Sequence, residues 1–197
     1  MQTLLFDLGG AVVDYRGPER LAALTKGRMS LDDAHEALSS SENLHAFERG
    51  EISPEDFASA VVTEWRLDVT PEFFIADFET WPERFLPGAA ELIKGLAGQY
   101  RLACLSNINI LHWRRCEALD LPRLFETHFL SHEMGARKPE PKIYLEVIEG
   151  LGVQPGDIIF FDDSTANIRA AQKNGLKAFH VSHDEGIAAA IMRAGLL

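Results

Sequence analysis

Residues 3–10 read Thr3-Leu4-Leu5-Phe6-Asp7-Leu8-Gly9-Gly10, and this stretch decides the fold of the chain. Its apolar residues predict a short buried strand, and Asp7 places a carboxylate at the end of that strand. An ionised carboxylate that is buried without a partner is energetically costly. We therefore expect a metal ion, a lysine or a group of backbone N–H donors to lie beside Asp7.

The composition is typical of one globular domain, or of one core domain with an insertion. The chain has 197 residues, of which 46% are hydrophobic and 25% are charged. Its formal net charge of -11 argues against nucleic acid or an anionic membrane as the main partner. The two cysteines imply no disulfide framework, and no signal peptide or membrane-spanning run is expected. These features together predict a cytoplasmic protein.

Five short apolar runs predict buried strands, and helical patterns separate most of them. The predicted strands cover residues 3–7, 101–106, 128–131, 157–162 and 177–181. The intervening helices are predicted over residues 89–97, 143–152 and 165–174. Strands that alternate with helices indicate parallel βαβ units, in which helices cover both faces of one sheet. The predicted fold class is therefore α/β with three layers.

Residues 14–87 interrupt this alternation. They show no convincing strand, and helical patterns appear at residues 21–29, 31–38, 54–65 and 71–78. Ser53-Pro54 and Thr70-Pro71 are typical helix starts. We therefore predict a core of residues 1–14 and 87–197 and a helical cap of residues 15–86. Such an insertion would lie beside the carboxyl ends of the strands, where open α/β sheets bind ligands.

Four polar motifs follow predicted strands, and a parallel sheet would bring them to one edge. They are Asp7-Leu8-Gly9-Gly10, Ser106-Asn107, Arg137-Lys138-Pro139 and Asp162-Asp163. Carboxylates with a backbone carbonyl suit Mg²⁺, and Ser106 and Asn107 offer donors to an anionic oxygen. Lys138 can offset negative charge. These groups suit phosphoryl transfer, in which Asp7 attacks phosphorus and water hydrolyses the resulting aspartyl-phosphate.

In these motifs and their order, the chain resembles the haloacid dehalogenase-like hydrolase superfamily nearly from end to end. The stretches His45-Ala46-Phe47-Glu48-Arg49-Gly50-Glu51-Ile52-Ser53 and Gly135-Ala136-Arg137-Lys138-Pro139 resemble its subgroup of sugar-phosphate phosphatases, notably α-glucose-1-phosphate phosphatase. The resemblance implies a Rossmann-like parallel sheet with strand order 3-2-1-4-5. It also implies Asp7 as nucleophile, and Mg²⁺ bound by Asp7, the Gly9 carbonyl and Asp163, with Asp162 close by.

Gly9 departs from the usual phosphatase pattern of this superfamily, which has a second aspartate two residues after the nucleophile. That aspartate protonates the leaving group and then activates water, a role worth about 10²–10⁴-fold in rate. Three interpretations follow from its absence. The protein is a Mg²⁺-dependent phosphatase with a substitute acid, a 2-haloacid dehalogenase that uses Asp7 without metal, or a catalytically weak phosphate-binding protein. We prefer the phosphatase, because metal-free dehalogenation would leave Asp162 and Asp163 without a purpose.

A substitute acid is expected from the helical cap. Its candidates are Glu48, Arg49 and His45, with Asp14 as an alternative from the core; Asn167 is a candidate for orienting Asp163. The predicted site comprises Asp7 and Lys138 as catalytic residues, Ser106, Asn107, Glu48 and Arg49 as substrate-binding residues, and Asp7, Gly9, Asp162 and Asp163 as the metal site. The expected partner is a small phosphorylated metabolite, with a sugar phosphate preferred, rather than nucleic acid or a membrane. The chain is expected to be a monomer or a homodimer, and its sequence does not identify the substrate.

Overall fold

A five-stranded parallel sheet forms the centre of the molecule in the computed structural model, which describes residues 2–197. Its strands are β1 (Thr3–Phe6), β4 (Arg101–Ser106), β5 (Thr127–Leu130), β6 (Ile158–Asp162) and β7 (Lys177–His180). The strands lie in the order β5-β4-β1-β6-β7, and each neighbouring pair is parallel. Counted along the sheet strands alone, this is the order 3-2-1-4-5. The predicted fold class and strand order are therefore confirmed.

Helices cover both faces of this sheet. They are α6 (Ala89–Leu96), α7 (Ile110–Ala118), α8 (Ser131–Met134), α9 (Pro141–Leu151), α10 (Thr165–Lys173) and α11 (Gly186–Arg193). Leu4 and Phe6 belong to one hydrophobic cluster with α6, α7 and α11, whereas Leu5 belongs to a second cluster with α9 and α10. This division follows from the alternation of side chains along a strand. All of β1 is buried, and its residues after Thr3 are apolar, so the strand shows no alternation with a solvent-facing polar side.

The predicted insertion contains five helices. They are α1 (Gly17–Leu24), α2 (Leu31–Ser40), α3 (Glu42–Glu48), α4 (Pro54–Glu64) and α5 (Pro71–Phe78). Ser53 and Thr70 cap α4 and α5 as expected, since each side chain accepts a hydrogen bond from a backbone N–H of the first turn. The first helix was predicted too late in the chain, and the short α3 was not predicted.

The prediction that residues 14–87 contain no strand is wrong. β2 (Val13–Tyr15) and β3 (Pro82–Phe85) form a two-stranded antiparallel ribbon, with a register irregularity after Asp14. The strands are short, and they include a proline and charged residues, so they show no apolar alternation in the sequence. The ribbon lies where the chain enters and leaves the helical insertion. The proposed division at residues 15 and 87 stays a prediction.

The helices of the insertion pack around a third hydrophobic cluster, which is rich in aromatic rings. Phe47 and Phe57 stack with ring centroids 4.4 Å apart, and Phe57, Phe74 and Phe78 are fully buried beside Trp81. No helix in the part of the chain that the structure describes is long and apolar enough to cross a membrane.

Phe57→Ala is expected to destabilise the protein by about 3–5 kcal/mol, because it removes a fully buried ring and leaves a cavity. Phe73→Ala is the matched control, since Phe73 is 54% exposed and lies on a neighbouring helix. Urea denaturation of both variants checks this expectation. Equal losses of stability would contradict the placement of Phe57 at the centre of the insertion's core.

Candidate active site

A buried cluster of charged side chains lies at the carboxyl end of the central strand. Lys138 Nζ donates hydrogen bonds to Asp7 Oδ1 at 2.7 Å, to Asp162 Oδ2 at 2.7 Å and to the Leu105 carbonyl at 3.0 Å. Asp7 directly follows β1, and its backbone N–H donates to the Phe161 carbonyl at 2.8 Å. The exposed fractions are 7% for Asp7, 1% for Lys138 and none for Asp162. The predicted nucleophile and lysine are thus in direct contact.

The cluster combines one lysine with three carboxylates, and this excess of negative charge shifts the pKa values of its members. Burial raises the pKa of Asp7 to about 8, and Asp162 and Asp163 act in the same direction, whereas Lys138 opposes the shift. Burial alone would lower the pKa of Lys138, but the charges of Asp162 and Asp7 hold it above its usual value. Burial also raises the pKa of Asp163, and the charge of Asp162 raises it further. One buried ammonium therefore faces three carboxylates.

The three carboxylates are placed as cation ligands would be. One oxygen from each of Asp7, Asp162 and Asp163 lies within 4.8 Å of the others. Hard oxygen donors of this kind suit Mg²⁺. The carboxylate of Asp163 rests against Gly10, where a Cβ atom would collide with Asp163 Oδ2. Among the described residues, Asp7 Oδ1 accepts a hydrogen bond from Lys138 and Asp7 Oδ2 accepts none.

Asp162 differs from its two neighbours because both of its oxygens are already occupied. Oδ1 accepts hydrogen bonds from the backbone of Ser164 at 2.7 Å and from Asn167 Nδ2 at 3.0 Å. Oδ2 accepts hydrogen bonds from Lys138 and, at 3.1 Å, from Asn167. Asn167 therefore orients Asp162 and not Asp163, the carboxylate considered in the sequence analysis. These contacts indicate that Asp162 holds Lys138 in place next to the cation site.

Gly9 lines the cleft, and its backbone does not require glycine. A Cβ atom there would meet only the side chain of Tyr15, at an ordinary 3.7 Å. Gly10, by contrast, has a φ of 73° in addition to the close approach of Asp163. The aspartate usual at position 9 would therefore fit at its Cβ, so its absence is a chemical difference and not a steric necessity.

Ser106 ends β4 beside this cluster and Asn107 follows it, and the two side chains make different contacts. Ser106 is 3% exposed and lines the cleft with Asp7. Asn107 Oδ1 accepts a hydrogen bond from the Lys138 backbone N–H at 2.7 Å, and its Nδ2 donates to the Lys138 carbonyl at 2.8 Å. The contacts of the Asn107 side chain are thus with the lysine backbone, and they fix the position of Lys138.

The cap candidates separate clearly in the structure. Glu48 lines the cleft, and its Oε2 accepts a hydrogen bond from Arg137 Nε at 3.0 Å. Arg49 turns away and donates to both carboxylate oxygens of Glu51, at 2.7 and 3.0 Å. The other two candidates lie beside residues that do not line the cleft: His45 is 3.5 Å from Glu42, and Asp14 is 3.1 Å from Arg84. In the described part of the chain, Glu48 alone of these four candidates lines the cleft.

The cleft between the sheet edge and the insertion has a volume of about 850 Å³. Its sheet side includes Asp7, Ser106, Lys138 and Asp163, and its opposite side includes Tyr15, Leu31, His35, Leu38, Leu44 and Glu48. The polar cluster therefore opens into a space with mixed polar and apolar walls, which can hold a small organic molecule.

Residues 1–175 match the model of the family described as haloacid dehalogenase-like hydrolase. The chain belongs to this hydrolase family. The predicted superfamily and the prediction of a hydrolytic enzyme are therefore confirmed.

Two curated proteins and one solved structure illustrate the relatives of this hydrolase. D-ribitol-5-phosphate phosphatase of Bacteroides thetaiotaomicron is 26% identical over 193 residues, which cover 91% of each chain. Flavin mononucleotide hydrolase 1 of Arabidopsis thaliana is 29% identical over 154 residues, which cover 76% of this chain and 61% of that protein. A HAD family enzyme of Bacteroides thetaiotaomicron, solved with magnesium and inorganic phosphate, has a TM-score of 0.79 and 25% identity, covering 96% of this chain and 98% of that one.

Three residues of the hydrolase's cleft were missed in the sequence analysis or given too little weight. In the sequence, only the position of Arg137 beside Lys138 indicates that it lies near the site. Tyr15 lies on the unpredicted ribbon, so no pattern indicated it. His112 also lines the cleft, but its Nε2 donates to the Phe78 carbonyl at 2.9 Å, and burial lowers its pKa to about 3. His112 is therefore a neutral link between α7 and α5.

Lys138→Met is expected to destabilise the metal-free protein by about 3–5 kcal/mol at neutral pH, because it leaves buried carboxylates without their counter-charge. Lys142→Met is the control, since the side chain of Lys142 is 59% exposed, and its cost should stay within about 0.5 kcal/mol. Denaturation in the presence of a chelator measures both. Similar stabilities for the two variants would show that the Lys138 contacts are not needed for the fold.

Proposed function

We propose that this hydrolase is a Mg²⁺-dependent phosphatase that acts on a small phosphomonoester through an aspartyl-phosphate on Asp7. The observation that carries the proposal is the position of Asp7, which contacts Lys138 through Oδ1, accepts no hydrogen bond at Oδ2 and lies in the carboxylate cluster with Asp163. A carboxylate held in this way by one oxygen can attack phosphorus with the other. The relatives named as phosphatases and the related structure with magnesium and phosphate support the same chemistry.

The proposed roles follow from the contacts. Lys138 holds Asp7 in place and carries a positive charge next to the phosphoryl group, and the hydroxyl of Ser106 donates to a phosphoryl oxygen. Asp7, the carbonyl of Gly9 and Asp163 would hold Mg²⁺, with Asp162 in support. When bound, Mg²⁺ offsets the negative charge of the transferring phosphoryl group.

A sugar phosphate is the proposed substrate class. D-ribitol-5-phosphate phosphatase is similar to this chain over most of both sequences. The cleft of about 850 Å³ leaves room beyond the phosphate position for a polyol or sugar. The narrower likeness to α-glucose-1-phosphate phosphatase rests on residues 45–53 and 135–139 alone. A small phosphorylated metabolite as partner, a cytoplasmic location and a monomeric or homodimeric state remain predictions.

Two other functions are weaker alternatives. A 2-haloacid dehalogenase would use Asp7 without metal, and it would have no use for the cluster of Asp7 and Asp163. A catalytically weak phosphate-binding protein would need neither the free Asp7 oxygen nor the contact with Lys138. The carboxylate geometry therefore favours the phosphatase over both.

Wild-type protein is expected to release phosphate from a panel of sugar phosphates when Mg²⁺ is present and to stop when a chelator is added. Asp7→Asn should fold normally and lose turnover by a factor on the order of 10⁴–10⁶, because it removes the nucleophile. Halide release from haloacids without metal would instead identify a dehalogenase. Tight binding of phosphate without turnover would identify a binding protein.

Gly10→Ala is expected to weaken Mg²⁺ binding by about 10- to 100-fold, because the new methyl group displaces the carboxylate of Asp163. Gly88→Ala is a matched control: its φ of 74° imposes the same backbone strain, but nothing lies within 4 Å of the added Cβ. Calorimetric titration with Mg²⁺ compares the two variants. Equal affinities in both would remove Asp163 from the metal site.

A further inference from the structure

The phosphatase proposed above lacks a proton donor where its superfamily usually has one, at position 9. A side chain at Gly9 would begin 3.7 Å from Tyr15 Cβ, and both residues line the cleft. Burial, and next the charge of Glu48, raise the pKa of Tyr15 above its usual value. Tyr15 and Glu48 line the same cleft, and the Tyr15 side chain occupies the direction that a position-9 side chain would take.

Glu48 is also connected to the nucleophile through the core. Arg137 Nε donates to Glu48 Oε2 at 3.0 Å, and Arg137 immediately precedes Lys138, which contacts Asp7 at 2.7 Å. The exposed fractions of the Glu48 and Arg137 side chains are 14% and 19%. All four residues line the same cleft. A carboxylate on the insertion is thus held in position by the residue next to the catalytic lysine.

The second oxygen of Glu48 is available. Within residues 2–197, Oε1 of Glu48 accepts no hydrogen bond, whereas Oε2 is committed to Arg137. Burial raises the pKa of Glu48 above its usual value, against the opposing charges of Arg137, His45 and Lys138. The direction of this shift favours the proton-bearing form that a general acid needs.

We propose that Glu48 is the general acid and base of the reaction and supplies from the insertion the function that is absent at Gly9. As the bond from phosphorus to the leaving oxygen breaks and the Asp7–phosphorus bond forms, the Glu48 proton passes to the leaving oxygen. The Glu48 carboxylate then accepts a proton from the water that attacks phosphorus. That attack breaks the Asp7–phosphorus bond, which releases phosphate and restores the Asp7 carboxylate and protonated Glu48. This inference rests on the proposed phosphatase activity.

His112 lines the same cleft and is excluded by its contacts. Its Nε2–H donates to the Phe78 carbonyl, and its Nδ1 lies 3.2 Å from the Asn109 side-chain amide. Both ring nitrogens are therefore occupied, and the low pKa leaves no proton to donate near neutrality. Its position between two helices fits packing and not proton transfer.

The test compares two substrates that differ in their need for an acid. A sugar phosphate leaves as an alkoxide and needs a proton, whereas p-nitrophenyl phosphate leaves as a stable phenolate. Glu48→Gln is expected to lower kcat/KM for the sugar phosphate by about 10²–10⁴-fold and that for p-nitrophenyl phosphate by less than about tenfold. It should also produce a burst of nitrophenolate, because hydrolysis of the aspartyl-phosphate becomes slow.

Glu51→Gln is the control, since Glu51 pairs with Arg49 outside the cleft, and it should leave both rates unchanged. Equal losses on the two substrates in Glu48→Gln would assign Glu48 to binding or positioning and overturn the proposal, as would an unchanged rate on the sugar phosphate. Where the glutamine variant does not fold, Glu48→Asp is expected to show the same selective loss in weaker form, and an equal loss overturns the proposal.

If the wild type hydrolyses neither substrate, the phosphatase function fails and this inference fails with it. If Asp7→Asn loses both activities and Glu48→Gln loses neither, the phosphatase function stands and only the role of Glu48 as acid fails.

Discussion

The contact of Lys138 with Asp7 and Asp162 holds three separate segments of the chain at one buried point. The ammonium group uses its three donors on two carboxylates and the Leu105 carbonyl, so strands β1, β4 and β6 meet around a single nitrogen. Burying these charges is costly, and the cost is offset only when the geometry is complete. One ammonium group does not neutralise the nearby Asp163 as well, so the cluster keeps an excess of negative charge that would favour a bound cation.

Two amide side chains make that geometry possible through their hydrogen bonds to Lys138 and Asp162. Asn107 binds the backbone N–H and carbonyl of Lys138, and Asn167 donates to both oxygens of Asp162. Tyr144 in turn donates to the Asn167 carbonyl at 3.1 Å. Buried polar networks of this kind rigidify a site when each member has its partners. Lys138 and Asp162 are thus held in place by the two amides, and Asp7 is held by Lys138.

The core could be predicted from the sequence because each buried strand is an apolar run that ends at a polar motif. Parallel order then brought Asp7, Ser106, Lys138 and Asp163 together without any knowledge of distances. The ribbon of β2 and β3 could not be predicted in this way, because its short strands contain no apolar run and are held by pairing with each other. Sequence patterns also could not show which of Glu48 and Arg49 faces the cleft. They are consecutive at the end of a short helix, so only tertiary contacts decide which one faces the cleft.

The place of Glu48 depends on a close approach between the insertion and the core. Gly50, two residues further on, has a φ of 71°, and a Cβ atom there would collide with the backbone carbonyl of His132 in α8. Only glycine lets the end of α3 rest directly against the core at this point. The same insertion forms one wall of the cleft, through Leu31, His35 and Leu38. An acid carried by the insertion, as proposed for Glu48, would therefore tie proton transfer to the exclusion of water from the cleft, which the proposed aspartyl-phosphate requires.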